Sequence, residues 1–201
     1  RINWTYLETG AIYRSLGLLC LEGGIALEDA DRVAGAIEDL DLSFRSAADG
    51  SNRVLLGERD ITELCYSPKI AAAASTVSAY PQVRARLIAF QQDFARCRDG
   101  VVMEGRDIGT VIFPDAPLKV YLTATPEECA RRRQAQLEEK GQPMDFAQVL
   151  ADVNERDRRD STRAAAPLKQ AGDAELVDTD GLSVSGVLDA LEALARERGL
   201  V

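Results

Sequence analysis

Short apolar segments alternate with longer stretches of helical periodicity, and this alternation constrains the fold more than any other feature of the chain. Residues 4–7, 101–104, 118–122 and 175–178 read as strands, and the runs at 11–21, 28–39, 69–77, 81–98, 125–140, 145–163 and 183–198 read as helices. Parallel strands need long crossover connections, which helices supply, so the pattern predicts a parallel sheet with helices on both faces. Local signals agree. Gly23-Gly24 ends the first helix, and Pro81 falls in the first turn of another. Thr125-Pro126-Glu127-Glu128 offers an N-cap, a proline at the first helical position and acids in the first turn. The helix it starts carries a poor apolar stripe and is expected to face solvent or to move. Residues 41–61 break the alternation: Leu42, Phe44, Val54, Leu55 and Leu56 flank Asp49-Gly50-Ser51-Asn52, which predicts a small β excursion around a hairpin turn.

Composition narrows the function. At 201 residues the chain is long enough for one domain. Lys+Arg 24 against Asp+Glu 33 gives a net charge of −9, which disfavours a general nucleic-acid binder. His 0 excludes Ser-His-Asp hydrolysis, His-ligated zinc and imidazole proton shuttles. No apolar run approaches the roughly 20 residues that span a bilayer, and no signal-peptide pattern opens the sequence. Cys20, Cys65, Cys97 and Cys129 are widely spaced with no C-x-x-C, so reduced thiols and a cytoplasmic location are expected.

Three clusters place arginines where ordinary surface logic does not. In Glu8-Thr9-Gly10-Ala11-Ile12-Tyr13-Arg14, a cation one turn inside a helix start opposes the macrodipole, unless an anion binds there. A solvated arginine is the competing reading. Gly105-Arg106-Asp107-Ile108-Gly109-Thr110 lies just past the C-terminal end of a strand, where open parallel sheets bind ligands. A local Arg-Asp pair in a plain turn is the alternative. In the run from Glu155 to Arg163, the residues Arg156, Asp160 and Arg163 continue the stripe of Val149 and Val153, so a core-facing side turns from apolar to charged. An i,i+4 ion-pair lattice explains Arg158 and Arg159 but not that stripe. Arg131-Arg132-Arg133 taken alone reads as a solvated face.

Arginines drawn from several segments of an acidic chain predict a compact polyphosphate site, because the guanidinium fork binds phosphate oxygens in pairs. Phosphoryl transfer also tolerates the absence of histidine. A phosphate acceptor is already anionic and needs no general base, so catalysis reduces to positioning and charge neutralisation.

At these residues the chain resembles the bacterial cytidylate kinases of the P-loop nucleoside monophosphate kinase superfamily. The resemblance runs from about Trp4 to the C-terminus. It rests on T-G-A-I-Y-R at 9–14, A-A-S at 73–75 with Pro81 and Arg84, G-R-D-I-G-T-V-I-F-P-D-A-P at 105–117, and E-R-D-x-R-D-x-x-R-A-x-A-P at 155–167. It implies a parallel-sheet α/β kinase core (1–27, 99–124 and 164–201) in one domain. A β-containing insertion at about 28–98 would bind the monophosphate, and a helical lid would span about 125–163. The implied reaction moves a phosphoryl group from ATP, with Mg²⁺, to CMP or dCMP. Arg14, Arg106 and Arg163 would hold the CMP phosphate. Ser75, Arg84 and Asp107 would read the cytosine edge, Arg156 and Asp160 would contact the sugar, and Thr9 and Tyr13 would line the same pocket. Arg132 and Arg133 would reach the ATP phosphates from the lid. No residue is expected to ligate a metal, no nucleic-acid or membrane partner is expected, and a monomer is.

The sequence departs from the family at two points. Glu8 stands where the family usually carries Asp. No G-K-[ST] occurs in the 201 residues, although the family's Gly-rich phosphate loop precedes this region. That loop is expected in the natural chain, on a strand between 101–104 and 118–122, so those two strands are not expected to pair. Two alternatives stand beside this reading: a catalytically silent nucleotide-binding module, or a kinase for another base such as UMP or dTMP.

Overall fold

Thr5, Tyr6, Leu7 and Glu8 form a strand that runs into a helix with no intervening loop. The computed structural model describes residues 4–46, 52–139 and 141–201. In chain order the elements are β1 (Thr5–Glu8), α1 (Thr9–Glu22), α2 (Ala30–Gly35), a 3₁₀ turn (Ala36–Asp39), β2 (Leu42–Ser46), β3 (Asn52–Leu56) and β4 (Arg59–Asp60). Then come α3 (Thr62–Cys65), α4 (Pro68–Val77), α5 (Pro81–Arg96), β5 (Val101–Glu104), a π-helical turn (Ile108–Ile112), β6 (Val120–Thr123), α6 (Pro126–Glu139), α7 (Phe146–Thr162), β7 (Glu175–Asp178) and α8 (Val184–Glu197). Ile108 closes one unit of packing and Gly109 opens a second.

In the first unit β1 and β5 form a parallel ladder, Thr5 opposite Val101 and Glu8 opposite Glu104. The expected β excursion is an antiparallel sheet in the order β2-β3-β4, with a third short strand that the sequence pattern did not reveal. Its predicted turn residues Asp49, Gly50 and Ser51 lie outside the described residues. α1 is apolar on several sides, and Ile12, Leu16 and Cys20 are fully buried in it. It therefore needs partners on more than one face. One partner is α4, which approaches so closely that a Cβ at Gly17 would lie 3.0 Å from the Ala73 Cβ and 3.2 Å from the Ala74 nitrogen. Leu7, Val33, Ile61, Val77, Val83 and Leu87 complete this core. Ser67 caps α4 by accepting from the Ile70 N–H, ahead of Pro68.

In the second unit β6 and β7 form another parallel ladder, Val120 opposite Glu175. Thr125 caps α6, its hydroxyl accepting from the Glu128 N–H. The expectation of a solvent-facing α6 is corrected in one respect. Ala130 and Leu137, seven residues apart, are buried together with Val149 of α7, and Phe146, Leu150 and Val153 pack around them. Two buried positions in fourteen make a stripe too narrow to register as helical periodicity. Among the described residues no disulfide joins the cysteines, and no helix is long and apolar enough to cross a membrane.

Candidate active site

Every sequence-derived site residue of the first unit stands where a strand ends or on a helix packed nearby. Thr9 opens α1, and its hydroxyl donates to the Glu104 carbonyl at 2.8 Å, tying the head of α1 to the end of β5. That junction leaves no room for a side chain at position 105. A Cβ there would lie 2.4 Å from the Thr9 Oγ1 and 2.8 Å from the Ile108 Cδ1. Gly105 therefore lets the loop after β5 pass against α1, and it carries Arg106, half-buried, and Asp107, buried, to that point.

Asp107 meets Arg84 of α5 in an ion pair whose side chains are 6% and 5% exposed. A second Arg84 nitrogen, Nη1, donates to the Ser78 carbonyl at 3.1 Å. The guanidinium also lies over the Tyr13 ring, 5.4 Å from its centroid. Its Nε is buried with no hydrogen-bond partner among the described residues. Ser75 is exposed on α4.

Glu8 and Arg14, six residues apart, form a second ion pair across the start of α1, with side chains 18% and 17% exposed. The sequence reading noted Glu8 only as a departure and did not select Tyr66 at all. The Tyr66 hydroxyl donates to Glu8 Oε2 at 2.6 Å, and its ring lies under the Arg14 guanidinium, 5.1 Å from centroid to carbon. Burial pushes the Tyr66 phenol well above its ordinary value, and the bond to Glu8 adds to that. Tyr66 falls between α3 and α4, where helical periodicity gives no information about which way a side chain points.

In the second unit Arg163 ends α7 with its side chain 16% exposed; Nε donates to the Ala166 carbonyl at 2.8 Å, and Nη1 lies 3.8 Å from Asp160. Asp160 also lies 3.8 Å from Arg156, which is largely exposed. The expected apolar-to-charged stripe is present only in part: Val149 is buried and Asp160 and Arg163 are shielded, but Arg156 is as exposed as Arg158 and Arg159, which pair with Glu155 in solvent. Arg132 is engaged elsewhere. Its Nη1 donates to the Thr179 hydroxyl at 2.9 Å, Nη2 to the Thr179 carbonyl at 2.5 Å, and Nε to Glu128 at 2.9 Å. Arg133 reaches Gln136 Oε1 at 3.5 Å. Among the described residues no group of three or more Asp, Glu, His or Cys could hold a metal ion.

Comparison with known proteins bears on this arrangement. The family model for cytidylate kinase matches residues 1–197. Over 197 residues the chain is 43% identical to a cytidylate kinase of Exiguobacterium sp. (strain AT1b), covering 98% of this chain and 87% of that one. Against a cytidylate kinase of Stutzerimonas stutzeri (strain A1501) it is 41% identical over 201 residues, 100% of this chain and 87% of the other. It is also 45% identical over 199 residues to a bifunctional pantoate ligase/cytidylate kinase of Synechococcus sp. (strain CC9605), of which it spans 41%. A match of this extent means that the protein belongs to the cytidylate kinase family.

Proposed function

We propose that this protein transfers a phosphoryl group from ATP to CMP or dCMP. The observation that carries the reading is the buried pair of Arg84 and Asp107 at the end of β5. A carboxylate fixed in this way accepts from the exocyclic amino group of cytosine. Uracil and thymine present a carbonyl oxygen at that position, which a carboxylate repels, and such contacts discriminate by about 1–3 kcal/mol in nucleic-acid readers. Ser75 assists in reading the base, and the unpartnered Arg84 Nε is a donor in the same place.

The remaining roles follow the family resemblance. Arg14, Arg106 and Arg163 hold the acceptor phosphate, Arg156 and Asp160 the sugar, and Thr9 and Tyr13 line the pocket. The insertion that includes β2–β4 carries the acceptor, and α6 and α7 form the lid. Because Arg132 is spent on Thr179 and Glu128, Arg133 is the better placed of the two to meet ATP. Mg²⁺ enters with ATP, held chiefly by phosphates and water, as this cation ordinarily is in kinases. The acceptor phosphate is already ionised, so the arginines act by orientation and charge neutralisation without a general base.

A substrate panel on the full-length gene product tests the reading. With ATP as donor, CMP and dCMP should be turned over and UMP and dTMP should lag by about tenfold or more, the discrimination expected of one charge-assisted contact. Equal turnover of UMP would overturn the base assignment.

A further inference from the structure

Glu8 is the N-cap residue of α1, yet its side chain makes no cap hydrogen bond. Both carboxylate oxygens are used otherwise: Oε1 meets Arg14 and Oε2 accepts from Tyr66. The Tyr66 ring then lies against the face of the same guanidinium. Arg14 is thus held at its edge by a carboxylate and across its face by an aromatic ring, and the Tyr66 hydroxyl fixes the carboxylate that holds it. An arginine left to itself samples many rotamers and loses that freedom when a ligand arrives. An arginine oriented beforehand loses less.

We propose that Tyr66 and Glu8 are positioning residues that fix the direction of the Arg14 guanidinium for the phosphate of the acceptor nucleotide. The proposal rests on the assignment of Arg14 to that phosphate. Neither residue touches the nucleotide; both act through Arg14. The Tyr66 hydroxyl also draws charge from the carboxylate, which leaves the guanidinium less fully neutralised for an incoming anion than a bare Glu8 would.

Tyr66→Phe is the test, because it removes one hydroxyl and keeps the ring. In the full-length enzyme KM for CMP should rise about 3- to 10-fold, the span that one hydrogen bond supplies, while kcat changes by less than about twofold. Binding of cytidine, which has no phosphate, should not change. In an Arg14→Ala background the same substitution should have no further effect, since the interaction it modulates is gone. An unchanged KM in Tyr66→Phe, an equal loss for cytidine, or an undiminished effect in the Arg14→Ala background each overturns the positioning role. If Arg14→Ala alone leaves KM for CMP unchanged, the phosphate assignment itself fails, and the proposal with it.

Discussion

Arg84 and Asp107, twenty-three residues apart on α5 and the loop after β5, form an ion pair from which water is almost excluded. Breaking such a pair leaves one charge buried and uncompensated, at a cost of about 3–5 kcal/mol. Asp107→Ala should therefore lower the folding free energy by about that much, and loss of CMP turnover in this variant alone would not distinguish a base contact from a fold defect. Replacing both partners with apolar residues of similar volume, Arg84→Met with Asp107→Leu, should recover most of the stability. Urea midpoints measure the recovery, and CMP binding measures the function. A double variant that regains its midpoint and still binds CMP would show the pair to be structural only.

A second prediction concerns the junction of α1 and β5. A methyl group at position 105 would lie within 3 Å of both Thr9 and Ile108. Gly105→Ala should cost about 1–3 kcal/mol, the range for overpacking a close contact. Thr9→Ala introduced with it removes one of the two obstructing atoms and should return part of that loss, although the bond to the Glu104 carbonyl goes too. Thermal midpoints of the single and double variants decide the matter; a Gly105→Ala protein as stable as the parent contradicts the packing.

Two tyrosines are expected to contribute to stability at alkaline pH. Tyr6 and Tyr66 are both raised above the ordinary value, first by burial and then by the charge and hydrogen bonding of Glu104 and Glu8 respectively. The folded form thus holds these protons more tightly than the unfolded form. Their contribution to stability is complete below pH about 10, the ordinary phenol value, and is lost as pH rises above it. Urea midpoints should fall from pH about 10 upward, and Tyr6→Phe or Tyr66→Phe should flatten that decline. Phenolate absorbance near neutral-to-mild alkaline pH, appearing before unfolding, would contradict the shift.

How far the fold was legible follows from which residues carry the signal. β5 and β7 were readable to the residue, because the apolar Val101-Val102-Met103 starts after Gly100 and ends with Glu104 before Gly105, and the apolar pair Leu176-Val177 is closed by Glu175 and Asp178. β4 was not, since Arg59-Asp60 has no strand character and pairs only because Gly57, at φ +60°, turns the chain back on β3. In the site, Arg14 stood out as a cation opposing the helix dipole and Asp107 by its place just past the end of a strand, whereas Arg84 came only from the family resemblance. Tyr66 did not stand out, because a tyrosine beside a helix cap contradicts nothing. Its role emerges only when α3 and α4 bring it under Arg14. For Arg132 the basic run names the charge but not its partner, and the partner Thr179 is forty-seven residues away.

That partner separates the two lid arginines experimentally. Thr179 is 4% exposed, and its hydroxyl donates to the Thr123 carbonyl at 2.9 Å, so it closes the end of the β6–β7 ladder. Arg132 supplies donors to both Thr179 oxygens. Removing it deletes both of these hydrogen bonds and leaves the Thr179 carbonyl with the Leu182 N–H alone, at a cost of about 1–3 kcal/mol. Arg132→Ala should therefore lower the thermal midpoint by several degrees, with KM for ATP little changed at temperatures where the enzyme is folded. Arg133 has no comparable tie to β7 among the described residues. Arg133→Ala should leave the midpoint in place and raise KM for ATP by about tenfold, the scale of one charge-assisted phosphate contact. Thermal melts and ATP saturation curves on the two variants give the answer directly. If Arg132→Ala melts like the parent and loses ATP affinity instead, the hold on Thr179 is released in the working enzyme and Arg132 is the phosphate ligand after all.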